Sequence, residues 1–199
     1  GIEQTFFDMH DHPDKVEELL EALSDLNRRA LPVAIASPAE VIISNDNFDG
    51  EITNPALFQR YCAPYFEETA RAVHAAGKLL ASHIDGDPAP LLNVFHRCGI
   101  DIADCFTPAP MTNVTTGQAR AVWGKDTVIW GGIPSSILCD PFGEEEFADF
   151  VSSLIAQIAP GDGIVLAVGD NVMPEAKIGR VSYITKSVRE HGRYPIQRM

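Results

Sequence analysis

Lys78-Leu-Leu-Ala-Ser-His-Ile-Asp-Gly-Asp87 reads as an apolar strand that ends in three polar side chains, His83, Asp85 and Asp87. Strand side chains alternate, so Leu79, Ala81, His83 and Asp85 are expected on one face. An imidazole and a carboxylate two residues apart on such a face can grip one metal ion or share one proton. Gly163-Ile-Val-Leu-Ala-Val-Gly-Asp170 repeats the pattern, with Ile164, Leu166, Val168 and Asp170 in alternation. Two apolar strands with polar tips suggest one mouth where both tips meet a ligand. The same letters also fit two plain strand-to-loop transitions, with Asp-Gly and Gly-Asp as turns.

Helical patterns separate these strands from others like them. Asn54-Pro55 supplies a cap and a first helical residue, and Phe58, Tyr61, Cys62, Tyr65, Phe66, Thr69 and Val73 form an apolar stripe up to Gly77. Pro64 is expected to kink that helix, because it removes a backbone donor. Pro13 opens an earlier helix through Leu26, preceded by a polar lead-in that carries His10 and His12. Glu144 to Ile158 and roughly Glu175 to Glu190 complete the long helices. Strands are expected at 39–44, 101–106 and 127–133, the last with a Gly131-Gly132 exit where backbone can approach a ligand.

Each strand is thus followed by a helix, which predicts an α/β fold with a parallel sheet and right-handed crossovers. Ligands of such sheets lie at the carboxyl ends of the strands, where the polar tips fall. Five strands fit either an open doubly wound sheet or the last five of an eight-stranded barrel. No G-x-G-x-x-G follows a strand, so dinucleotide binding has no support.

The chain has 199 residues, 45% of them hydrophobic, enough for a single domain over 1–199. Its net charge of −13 opposes binding to nucleic acid or to an anionic membrane. Cys62, Cys98, Cys105 and Cys139 form no C-x-x-C pair and read as free thiols in a reducing cytoplasm. No apolar run reaches membrane-spanning length. The first residue is Gly1, compatible with a piece of a longer protein.

As a set, several segments resemble the C-terminal part of the uroporphyrinogen decarboxylase superfamily. They are Asn54-Pro-Ala-Leu-Phe-Gln-Arg-Tyr-Cys-Ala-Pro-Tyr-Phe66, Gly77-Lys-Leu-Leu-Ala-Ser-His83, Cys98-Gly-Ile-Asp-Ile-Ala103, Trp130-Gly-Gly-Ile-Pro134 and Val168-Gly-Asp-Asn-Val-Met-Pro174. That superfamily includes decarboxylases of haem synthesis and methyltransferases that work with corrinoid proteins. The resemblance implies parallel β/α units of a TIM (β/α)8 barrel, with about five of eight strands in this chain. Two open sheet edges would then favour a homo-oligomer or a missing N-terminal segment.

The resemblance also implies a site. Zinc-bearing methyltransferases of the family look like His-x-Cys on one strand and a distant Cys on the last. Here the corresponding positions read His83-x-Asp85 and Asp170. His83, Asp85 and Asp170 are therefore the expected ligands of a divalent metal, zinc or another ion. The leading expectation is a metal-dependent methyltransferase served by a corrinoid on a partner protein, with Asp46, His83 and Asp85 catalytic. Asn47, Trp130 and Met173 are expected to contact the small-molecule substrate. A uroporphyrinogen decarboxylase and a non-catalytic binding module are the alternatives.

Overall fold

The structure, a computed structural model, describes residues 1–197. Five parallel strands form one sheet in the order β1 (Val41–Ser44), β2 (Leu79–His83), β3 (Ile102–Phe106), β4 (Val128–Ile133) and β5 (Ile164–Val168). Sequential neighbours all pair in parallel, so every carboxyl end points to one rim. The sheet is open, with β1 and β5 as its edges. These are the β/α units of a barrel laid out as an unclosed arc.

Helices cover one face of this arc. Leu80, Ile84, Ala103, Phe106, Ile129 and Ile164 point into a continuous apolar core with the helical layer. The opposite face is bare: Ile43, Leu79, Trp130 and Val165 are each at least 41% exposed. In a closed (β/α)8 barrel that face would be the packed interior.

The expected helices are present, with informative differences at the start of the chain. The lead-in with His10 is itself a helix, α1 (Ile2–Asp11), not a loop. Pro13 occupies the first turn of α2 (Pro13–Ala36), which runs on through Pro32. No residue of α2 is buried, and Leu19, Leu23 and Leu26 of its apolar stripe are exposed. Periodicity located the helix correctly, but within this chain its apolar stripe is largely uncovered.

Asn54 caps α3 (Pro55–Leu57), its side chain accepting from the Ala56 and Leu57 amides. A π-helical turn, Phe58–Cys62, then leads into α4 (Ala63–Ala75), whose first turn holds Pro64. The wider turn absorbs the proline that would otherwise break the helix. α5 (Leu92–Phe95) is short, and Gly99 closes the segment after it in the left-handed region. A full capping box, Thr115 with Gln118, starts α6 (Thr116–Trp123). α7 (Glu144–Ile158) buries Phe147, Val151, Leu154, Ile155 and Ile158.

The last helix, α8 (Ile178–His191), begins later than expected, and Ile178 is exposed. Buried Arg180 anchors it. Its guanidinium donates to the carbonyls of Ile137 and Cys139 at 2.9 Å and to Glu144 at 2.7 Å, tying α8 to the loop after β4.

β3 departs from a regular ladder. Ala103 faces Ile129 and Phe106 faces Gly131, so three steps on β3 match two on β4. This is a one-residue bulge, with Cys105 at φ +66°. Gly131, at φ +144°, lies against it, and a Cβ there would sit 2.3 Å from the Phe106 carbonyl oxygen. Gly131→Ala should therefore lower stability by about 2 kcal/mol or more, read as a fall in the urea midpoint. An unchanged midpoint would show that the β3–β4 contact is loose.

Candidate active site

The rim at the carboxyl ends of the strands gathers a His, a Cys and an Asp. Ligand-capable atoms of His83, Cys105 and Asp170 all lie within 4.8 Å of one another. His83 ends β2, Cys105 sits in the β3 bulge, and Asp170 follows β5. By plain alternation Cys105 would point away from Asp104, and Asp170 would point with Leu166 and Val168 toward the helices. Both residues instead have left-handed backbones, φ +66° and +55°. Ala103 and Phe106 keep the helix side. Cys105 is buried yet stands outside the continuous apolar core. These are the two non-glycine residues with positive φ among those described, and both belong to the same cluster.

Hydrogen bonds fix the cluster. The Asp170 amide donates to Cys105 Sγ at 2.8 Å. His83 Nδ1 is 3.0 Å from Asp104 Oδ2, and the Ile84 amide donates to the Asp104 carbonyl at 2.9 Å. Asn171 Nδ2 donates to Asp170 Oδ2 at 2.5 Å. Gly169 makes the approach of β3 and β5 possible, since a Cβ there would meet Thr107 Oγ1 at 2.2 Å.

Of the expected ligands, His83 and Asp170 are brought together, and the third donor beside them is Cys105. Asp85 lies outside this group but close enough for its charge to act on Cys105. Asp46 accepts from Ser82 Oγ at 3.1 Å. Burial raises its pKa, while bonds from Ser44 and Ser82 and the nearby His83 oppose that rise. Asn47 is exposed beside it. Trp130 lies on the bare face of β4, 41% exposed, and Met173 is exposed beyond β5. Asp87 is engaged structurally, accepting from the Ala89 amide at 3.0 Å and from Asn113 Nδ2 at 2.6 Å.

Cys105 escaped the sequence reading because a bulge cannot be counted from alternation. The one available signal was Gly131-Gly132 on the next strand, which marks a close backbone approach.

The donor set suits a divalent ion. A tetrahedral zinc site with bonds of about 2.0–2.3 Å spans roughly 3.4–3.8 Å between ligand atoms, so a small inward shift closes the cluster. Imidazole, thiolate and carboxylate together favour zinc over magnesium or calcium. Burial pushes the Cys105 thiol up to about 11; the Asp170 amide opposes this, and the charges of Asp85, Asp170 and Asp104 add to it. Ion binding would have to displace that proton.

A separate concavity of about 430 Å³ lies between residues 37–41 and 77–79, at the amino ends of β1 and β2. That is the wrong end of a parallel sheet for a catalytic site.

The fold and the rim define a β/α-barrel-type protein with a His/Cys/Asp cluster at the carboxyl ends of its strands, and comparison with known proteins gives the family. The model of the uroporphyrinogen decarboxylase (URO-D) family matches residues 1–191, and the chain belongs to that family. Uroporphyrinogen decarboxylases from three Coxiella burnetii strains are 24% identical over 187 residues, covering 91% of this chain and 49% of theirs. The chain thus spans about half the length of the curated relatives it matches. A solved methyltransferase from Methanosarcina mazei superposes with a TM-score of 0.70 at 18% identity, over 96% of this chain and 53% of that one. Among the described residues, no helix is long and apolar enough to cross a membrane.

Burial of the thiols has a measurable consequence. Cys62 and Cys98 are also raised to about 11 by burial. A raised pKa favours the protonated folded form, so its stabilising contribution is complete below the unfolded value near 9 and is lost as pH rises through about 11. Urea unfolding of the metal-free protein should show stability falling between about pH 9 and pH 11. A flat profile across that window would contradict ionisable buried thiols.

Proposed function

We propose that this chain carries the catalytic rim of a metal-dependent methyltransferase of the URO-D family. The ion would be held by His83, Cys105 and Asp170, with Cys105 taking the place expected for Asp85. The observation that carries this reading is the convergence of one imidazole, one buried thiol and one carboxylate from three strand ends. When bound, a divalent ion supplies Lewis-acid chemistry that favours the deprotonated form of a substrate thiol or hydroxyl at neutral pH. Asp46, its pKa raised by burial, would accept the proton released. Trp130 offers an exposed apolar wall for the substrate. A corrinoid protein would donate or receive the methyl group at the open mouth.

Charge favours this reading over decarboxylation. The strand-end segments 44–50, 83–88, 106–114, 131–141 and 169–174 carry Asp46, Asp49, Asp85, Asp87, Asp140 and Asp170, and contain no lysine or arginine. A polycarboxylate porphyrinogen would meet like charge there, whereas a neutral or cationic small molecule would not. The decarboxylase reading draws on the Coxiella burnetii relatives, and turnover of uroporphyrinogen by the purified protein would establish it.

Reconstitution with Zn²⁺ should give about one ion per chain by mass spectrometry. Metal should be lost in His83→Ala, Cys105→Ser and Asp170→Ala but retained in Asp85→Asn. Loss in Asp85→Asn with retention in Cys105→Ser would reinstate the other ligand set. The metal-loaded protein should demethylate methylcobalamin in the presence of mercaptoethanol at least tenfold faster than Cys105→Ser does. Equal rates would refute methyl transfer at this cluster.

A further inference from the structure

We propose that Asp104 is the positioning residue of the cluster: its carboxylate holds the Nδ1–H of His83 and so turns Nε2 toward the ion. The proposal rests on the metal reading above. His83 and Asp104 are direct partners in the β2–β3 register, and His83 Nδ1 lies 3.0 Å from Asp104 Oδ2. Both side chains are mostly shielded, 25% and 22% exposed, so water competes weakly for that bond. Among the described residues, His83 is the one side-chain hydrogen-bond partner of Asp104. Asp104 does not belong to the group of converging donors, so its role is toward His83 and not toward the ion.

The chemistry follows from hydrogen-bond direction. A carboxylate only accepts, so the bond places the ring proton on Nδ1 and leaves the Nε2 lone pair free. A histidine with neither nitrogen engaged can rotate and exchange tautomers. A carboxylate behind the ring removes that freedom and makes the ligating nitrogen more basic. The bulge gives β3 both functions. By placing Asp104 and Cys105 on the same side of the strand, it supplies a ligand and the orienter of a second ligand from adjacent residues.

The direct test needs no metal. Long-range ¹H–¹⁵N NMR of the metal-free protein should show His83 as the Nδ1–H tautomer. Asp104→Ala should shift it to the Nε2–H form that predominates for a free histidine side chain in water. Asp104→Asn, whose Oδ1 still accepts and whose shape is unchanged, should keep Nδ1–H. Titration with Co²⁺ should show affinity falling roughly 10–100-fold in Asp104→Ala and less in Asp104→Asn. The thiolate-to-cobalt absorption from Cys105 should persist in both variants. A tautomer unchanged in Asp104→Ala, or affinity within about threefold of wild type, would overturn the positioning role. Wild-type protein that binds no ion would instead overturn the ligand role of Nε2 together with the metal reading beneath it.

Discussion

The site depends on close backbone approach at glycines near the carboxyl ends of the strands. Gly131 and Gly132 lie just before Ile133, the last residue of β4, which runs between β3 and β5. With no Cβ at Gly131, the β3 bulge can press against β4 at Phe106. With none at Gly169, the exit of β5 can reach Thr107. Cys105 and Asp170 thereby meet across an intervening strand, joined by an amide-to-sulfur bond of 2.8 Å. A side chain at either glycine would separate them. The two left-handed residues are costly local conformations, of order 1–3 kcal/mol each, and the surrounding ladder and hydrogen bonds hold them in place.

Electrostatics then separates the roles of the polar groups. Several aspartates, among them Asp46, Asp85, Asp87, Asp104 and Asp170, lie at or near the strand ends with a single imidazole, His83. Asp87 secures loops, Asp104 faces His83, and Asp170 faces Cys105. Asp46 is set apart by its bond to Ser82 and its raised pKa. Without an ion, burial pushes the Cys105 thiol toward its protonated form, and the charges of Asp85, Asp170 and Asp104 add to that push. With one, the same charges favour a cation, which links ion binding to loss of the Cys105 proton.

Much of the fold was legible because burial imposes simple patterns. Continuous apolar runs bounded by helices specify a parallel sheet, and the Asn54-Pro55 cap signals its helix start directly. His83 was legible because β2 is regular to its end. Cys105 was not, since its direction comes from a bulge, and no local letter announces a left-handed cysteine. Asp170 was singled out, but the alternation used to place it would have sent it to the helix side; a left-handed turn brings it to the mouth. The exposed stripe of α2 marks a limit of a different kind. Periodicity shows that a helix has an apolar side, not that a partner for it lies within the same chain.

The central claim is that sulfur from Cys105 shares an ion with His83 and Asp170. X-ray absorption fine structure at the zinc edge of the reconstituted protein measures this most directly. The account predicts one sulfur at about 2.3 Å, with the remaining ligands nitrogen or oxygen at about 2.0–2.2 Å. A first shell of nitrogen and oxygen alone would contradict it.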